Sequence, residues 1–95
     1  MTKEFLPIGT VVTLKDGSKK VMIAGRLQKE SRTGQIYDYC AVLWPEGMMD
    51  SDRMYLFQHE DIDLLYHIGL QDAEEFSFRH VLDEQRVRAR SGLKN

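Results

Sequence analysis

The run Tyr37–Gly47, Tyr-Asp-Tyr-Cys-Ala-Val-Leu-Trp-Pro-Glu-Gly, constrains the fold more than any other stretch of the chain. It is the longest apolar and aromatic run. Tyr, Val, Trp and Cys suit a pleated, half-buried surface. Alternation places Tyr37, Tyr39, Ala41 and Leu43 on one face and Asp38, Cys40, Val42 and Trp44 on the other. From Cys40 onward both faces are apolar, so an internal strand is expected, covered on both sides at its C-terminal end. Leu43 and Trp44 should then both lie inside, and burial of Trp44 should contribute roughly 2–3 kcal/mol. Pro45 has no N–H and stops the ladder, and Gly47 allows a turn with positive φ.

A chain of 95 residues makes one domain, residues 1–95, with a β-rich core expected over about 5–70 and a helix over about 72–91. The formal net charge is −2, which does not favour disorder. A single cysteine excludes an intramolecular disulfide, and Cys40 reads as a buried thiol. No signal-peptide core opens the sequence and no apolar stretch approaches membrane-spanning length, so the expected location is the cytoplasm, with no membrane partner.

In chain order, Met1–Glu4 reads as a loose start and Phe5–Ile8 as an extended lead-in around Pro7. Strand one is predicted over 9–15 and strand two over 19–28, with Asp16-Gly17 as the hairpin signal between them. Gly25 inside strand two predicts a bulge or bend. A polar loop at 29–35 leads into the central strand, and a polar excursion at 48–53 follows it. Strand four is predicted over 54–58, a turn or single helical turn at 59–62, and strand five over 63–70. Asp72 can then cap a helix whose apolar stripe is Phe78, Val81, Leu82, Gln85 and Ala89; Arg86, Arg88 and Arg90 suit its C-terminal end, and Gly92 stops it. The pattern predicts a mainly β (α+β) fold: a small five-stranded SH3-like half-open barrel followed by a C-terminal helix. An antiparallel meander packed on one helix is the alternative.

No Cys-x-x-Cys, His-Glu-x-x-His, phosphate-binding glycine loop or Gly-x-Ser-x-Gly is present. The residues nearest to a catalytic or metal-binding cluster are His59, Glu60, Asp61 and Asp63, which read more simply as acidic turn residues with a surface histidine. Neither a catalytic residue nor a cofactor nor a metal site is expected. Residues 46–75 hold nine acids and only Arg53 as a base, which argues against a phosphate-binding groove. A basic patch from Lys15, Lys19, Lys20 and Arg26 keeps a nucleic-acid-binding small β-barrel as the alternative function. A metal-dependent hydrolase centred on His59 is a third.

The order Phe-Leu-Pro-Ile-Gly-Thr-Val-Val-Thr-Leu-Lys (5–15), Val-Met-Ile-Ala-Gly-Arg-Leu-Gln (21–28), the central run (37–47) and Leu-Phe-Gln-His-Glu-Asp-Ile (56–62) resembles the domain-of-unknown-function family 4176 of small proteins from Gram-positive bacteria. The likeness covers about residues 5–70. It implies an accessory of type VII secretion, encoded beside LXG-type toxins: a non-enzymatic, cytosolic chaperone or adaptor whose partner is a protein. The resemblance supplies no catalytic residues. The candidate partner-binding residues are Met48, Met49, Asp50, Asp52 and Met54 on the polar excursion, with Phe76 and Phe78 on the helix. Methionine suits adaptable contact surfaces, and the charge split between an acidic centre and basic ends suits selection of one partner.

Overall fold

The computed structural model is a five-stranded antiparallel sheet in the order β4-β3-β2-β1-β5, with one helix, α1. It describes residues 4–52 and 54–92, with side chains as far as Ala89. Met1–Lys3, expected as part of a loose start, Arg53 and the Arg90 side chain fall outside the described residues. The strands are β1 (Val11–Leu14), β2 (Val21–Lys29), β3 (Ile36–Leu43), β4 (Tyr55–Phe57) and β5 (Ile62–His67), and α1 spans Ala73–Gly92. A 3-10 turn, His59–Asp61, leads from β4 into β5. Each expected element is present, and the expected mainly β architecture with a C-terminal helix holds. β4 and β5 are the two edges and do not pair with each other, so the sheet is half open.

The inner face of the sheet supplies Val12, Val21, Ile23, Tyr39, Ala41 and Phe57 to the core, which Phe5 and Leu82 close. Tyr39 is its centre. The ring packs edge-on to Phe5, centroids 5.9 Å apart, and lies 5.5 Å from Phe57. Its hydroxyl accepts from Leu6 N–H at 2.9 Å and lies 2.8 Å from His59 Nδ1. A buried hydroxyl without partners would cost a desolvation penalty; this one has two. Burial, opposed by the Leu6 hydrogen bond, pushes the phenol up to about 12.

The expectation that both faces of the central strand are covered holds for Cys40, Ala41 and Val42, which are all buried. It fails at Trp44, which is 44% exposed. β3 ends at Leu43, and the backbone N–H of Trp44 donates to Lys20 O at 2.9 Å. The Trp44–Pro45 peptide is cis. With the strand ended at Leu43, the indole lies at the rim of the outer face, while Leu43 is half-buried against the core.

Gly25 marks a register shift against β3, as its position predicts. A Cβ there would lie 2.7 Å from Cys40 Sγ, so the bend brings the backbone against the buried thiol. Gly47 has φ +80°, the expected left-handed turn. β1 and β2 do form a hairpin, but Gly17 N–H bonds to Leu14 O, and the link from Lys15 to Lys20 is longer than a two-residue turn.

The helix contradicts its apolar stripe. Only Leu82 of that stripe is buried, and Phe78 and Val81 are about half exposed. Glu75, Arg79, Leu82 and Arg86, spaced by four, three and four residues, face inward instead. The cause lies in the sheet, where Arg26 and Asp38 are buried charges that require partners. Arg26 grips the Glu75 carboxylate with both terminal nitrogens, Nη2 at 2.9 Å from Oε1, and Arg79 Nη2 donates to Oε2 of the same carboxylate at 2.9 Å. Arg26 Nη1 also donates to Leu6 O at 3.2 Å. Arg86 lies 3.9 Å over the Phe5 ring and 3.9 Å from Asp38, whose Oδ2 accepts from His59 N–H at 2.9 Å. Asp72 caps the helix as its position predicts: its Oδ1 accepts from Glu75 N–H at 3.0 Å.

Two outcomes follow from these buried polar groups. The Arg26 guanidinium beside Glu75 holds that carboxyl below the usual glutamate range. Its stabilisation is fully present above the ordinary value of about 4.3 and is lost as pH falls through the lower folded value. Glu75→Ala should cost about 3 kcal/mol at neutral pH in chemical denaturation, and the variant should lose less further stability on acidification than the parent. For Tyr39 the sign is opposite: its folded value is raised, so its contribution is present below about pH 10 and lost between 10 and 12. Spectrophotometric titration should show a tyrosine step near pH 12 that Tyr39→Phe removes.

Candidate functional site

The outer face of the sheet carries a cleft walled by aromatic rings. Cross-strand pairing joins Val11 to Met22 and to His67, and Met22 to Val42. Paired residues share a face, so this row lies opposite the Tyr39 core. Two residues along from Met22 and Val42 come Lys20 and Trp44, which continue the same face. Gly9, Val11, Lys20, Met22, Trp44, Tyr66 and His67 enclose a cleft of about 520 Å³. Tyr66 and His67 are consecutive, yet both line it. The β1–β5 register shifts between Val11 and Val12, which places one extra residue on β5 and re-aims its side chain.

The walls are two half-exposed aromatic rings, Trp44 and Tyr66, and Met22 lies on the row between them. Lys20 Nζ sits 4.8 Å from the Tyr66 ring centroid. Rigid aromatics offer contact area at low entropic cost, and methionine adapts to varied shapes. Lys20 and His67 supply hydrogen-bond donors at the rim. Such a cleft fits an extended segment that presents an apolar or aromatic side chain beside a carboxylate or carbonyl group. Among the described residues no group of three or more His, Cys, Asp or Glu side chains is placed to hold a metal ion. Nor is any helix of the described residues long and apolar enough to cross a membrane.

A second cleft, of about 390 Å³, lies between the 33–36 turn and α1, over Asp38 and Arg86. Both charges already serve the fold, Asp38 through His59 and Arg86 through Phe5. Among the described residues Arg86 Nε and Nη2 have no hydrogen-bond partner, so the 3.9 Å approach to Asp38 is a looser pairing than that of Arg26 with Glu75.

The candidate residues read from the sequence fall on two separate surfaces. Met48, Met49, Asp50 and Asp52 are exposed on the β3–β4 excursion, where Asp50 Oδ1 accepts from Asp52 N–H at 3.1 Å, and Met54 is half-buried. Phe76 and Phe78 are about half exposed on α1, beneath Arg79 at 5.1 Å and Arg26 at 5.6 Å. Phe78 lines two shallow clefts along α1 and Phe76 a third, and the excursion residues line none of these. The basic patch is also divided: Arg26 is buried with Glu75, and Lys19 pairs with Glu46 at 2.8 Å. His59 is half-buried against Tyr39 rather than a surface residue.

Sequence reasoning passed over Lys20, Met22, Trp44, Tyr66 and His67 as a set. The signal for four of them was alternation out from Val42 and Val11. The pairing of Tyr66 with His67 depends on a bulge that no glycine announces.

Exposure of Trp44 sets its energetic weight. Full burial would make Trp44→Ala cost roughly 3–5 kcal/mol; with 44% of the residue exposed, a loss of about 1–2 kcal/mol is expected. As the single tryptophan, it should also be quenched by acrylamide in the native protein. A denaturation loss above about 3 kcal/mol, or a protected indole, would place it in the core.

Comparison with protein families matches residues 5–78 to the family described as Domain of unknown function (DUF4176). Comparison with curated proteins and with solved structures gives no match. The matched span takes in all five strands and the first turn of α1, including Glu75, and the chain belongs to the DUF4176 family.

Proposed function

We propose that this protein is a non-enzymatic protein-binding module, a cytosolic chaperone or adaptor for a type VII-secreted LXG-type toxin. The observation that carries the reading is the outer-face cleft between Trp44 and Tyr66. A chain of this size that leaves its only tryptophan half exposed beside a second aromatic and a methionine has the makings of a contact surface. The strand order, with a 3-10 turn between β4 and β5, supports an SH3-like description of the half-open barrel. The family resemblance supports the secretion setting. Trp44 and Tyr66 are the anchors in this reading, and the excursion carrying Met48, Met49, Asp50 and Asp52 lies only a few residues beyond Trp44 along the chain. Aromatic anchors supply most of the affinity, and the acidic excursion speeds encounter and selects the partner.

Co-expression with an LXG-type toxin of the same operon should yield a co-purifying complex and raise the toxin's solubility. Trp44→Ala should abolish it while the protein stays folded, and charge reversal at Asp50 and Asp52 should weaken it. A complex indifferent to Trp44→Ala would move the site elsewhere. No complex with any product of the operon would end the chaperone reading, and steeply salt-dependent binding to nucleic acid would support the alternative.

A further inference from the structure

β5 is an outer strand of the sheet, hydrogen-bonded to β1 on one side alone. Among the described residues no strand pairs with its other edge. Proteins blunt such edges with lysine, proline, very short strands or a covering element. β4, the opposite edge, is only three residues long. β5 is six residues long and contains neither proline, lysine nor arginine. Ile62 packs against the core, but the side chains after it are exposed, with Leu64, Leu65 and Tyr66 each about half exposed and Ile68 just beyond them similar. Two register shifts against β1 bend the strand, near Asp63 and near Tyr66, and Asp63 is its one acidic side chain.

The sequence of this edge complements itself. Laid antiparallel on a second copy with Leu65 at the dyad, Ile62-Asp63-Leu64-Leu65-Tyr66-His67-Ile68 gives a set of matched pairs. Asp63 of each copy faces His67 of the other, Leu64 faces Tyr66, Ile62 faces Ile68, and the two Leu65 side chains meet. Each is a favourable cross-strand pair of its kind: acid with imidazole, aliphatic with aromatic, aliphatic with aliphatic. A slip of one residue either way sets Asp63 against Tyr66 or against Ile68 and loses both acid–imidazole pairs.

We propose that β5 is the dimerisation edge, and that two copies pair through it, antiparallel, with Leu65 on the two-fold axis. The contact is isologous and closes on itself, so it yields a dimer and not a fibre. It merges two sheets into one and places both Trp44–Tyr66 clefts on the same face of it. A single partner with two binding segments would then gain from bivalent attachment. The dimer rests on the edge strand alone and stands or falls independently of the toxin reading.

The test is sedimentation over a range of concentrations together with a charge swap. Asp63 and His67 are both exposed, so the variants should keep the fold, which circular dichroism and denaturation would check. The parent should dimerise reversibly. H67E should raise the dimer dissociation constant about tenfold, because it sets two carboxylates opposite one another twice; D63K should raise it less, by loss of the two acid–imidazole pairs; and D63K/H67E, which pairs lysine with glutamate twice, should restore it. In a Cys40→Ala background, Leu65→Cys should form an intermolecular disulfide on mild oxidation, and Leu70→Cys, beyond the paired stretch, should form far less. A protein that stays monomeric at all concentrations overturns the proposal and leaves the edge for a strand of another protein. Failure of the double variant to recover, or equal cross-linking at both cysteine positions, overturns the register.

Discussion

The fold turns on a polar group in the middle of an apolar core. Tyr39 has no exposed surface, and its hydroxyl cannot be left without partners there. The two groups that satisfy it come from distant parts of the chain: the Leu6 amide in the lead-in before β1, and His59 in the 3-10 turn before β5. Three segments separated in sequence are thereby brought to one oxygen. The His59 amide then binds Asp38, the neighbour of Tyr39 on β3, so the turn is held twice by consecutive residues of one strand. Gln58 adds a third tie: its Oε1 accepts from Asp38 N–H, and its Nε2 donates to Ile36 O. The direction in which β5 leaves the turn follows from these contacts.

The same economy explains the helix. Arg26 and Asp38 leave the sheet with buried charge that hydrocarbon could not satisfy, and α1 answers with Glu75, Arg79 and Arg86. The guanidinium groups also lie over phenylalanine rings, Arg86 over Phe5 and Arg79 over Phe76, so each ion pair brings apolar contact with it. Among the described residues of α1, Leu82 is the only large apolar side chain that is buried. Because charge holds the inner side, Phe76, Phe78 and Val81 are left half-bare on the outer one.

The sheet was largely legible because its signals are local. Alternation in β3, the β-branched run in β1, glycines at 25 and 47, and Asp72 before the helix each carry their physical cause within a few residues. The failures share a different feature. Trp44 looked internal because the apolar run continues through it, but the ladder ends one residue earlier. The helix was read by its apolar positions, whereas its docked side is chosen by charges on β2 and β3, remote in sequence. The outer cleft escaped notice for a related reason: Lys20, Trp44 and Tyr66 meet only once strand order and a bulge are known. Long-range complementarity of single side chains leaves no periodic trace.

The strand order has a consequence for how the chain reaches this structure. β2, β3 and β4 pair with their sequence neighbours, but β1 must wait for β5, some fifty residues further on. Closing so long a loop is entropically costly and slow relative to the local hairpins. During synthesis β1 therefore shows one bare edge until residues 62–67 have left the ribosome, and Val11, Val12 and Thr13, all buried in the finished sheet, are open to misplaced strands for that interval. The last strand to arrive gives β1 its second neighbour and takes over as the outer edge of the sheet.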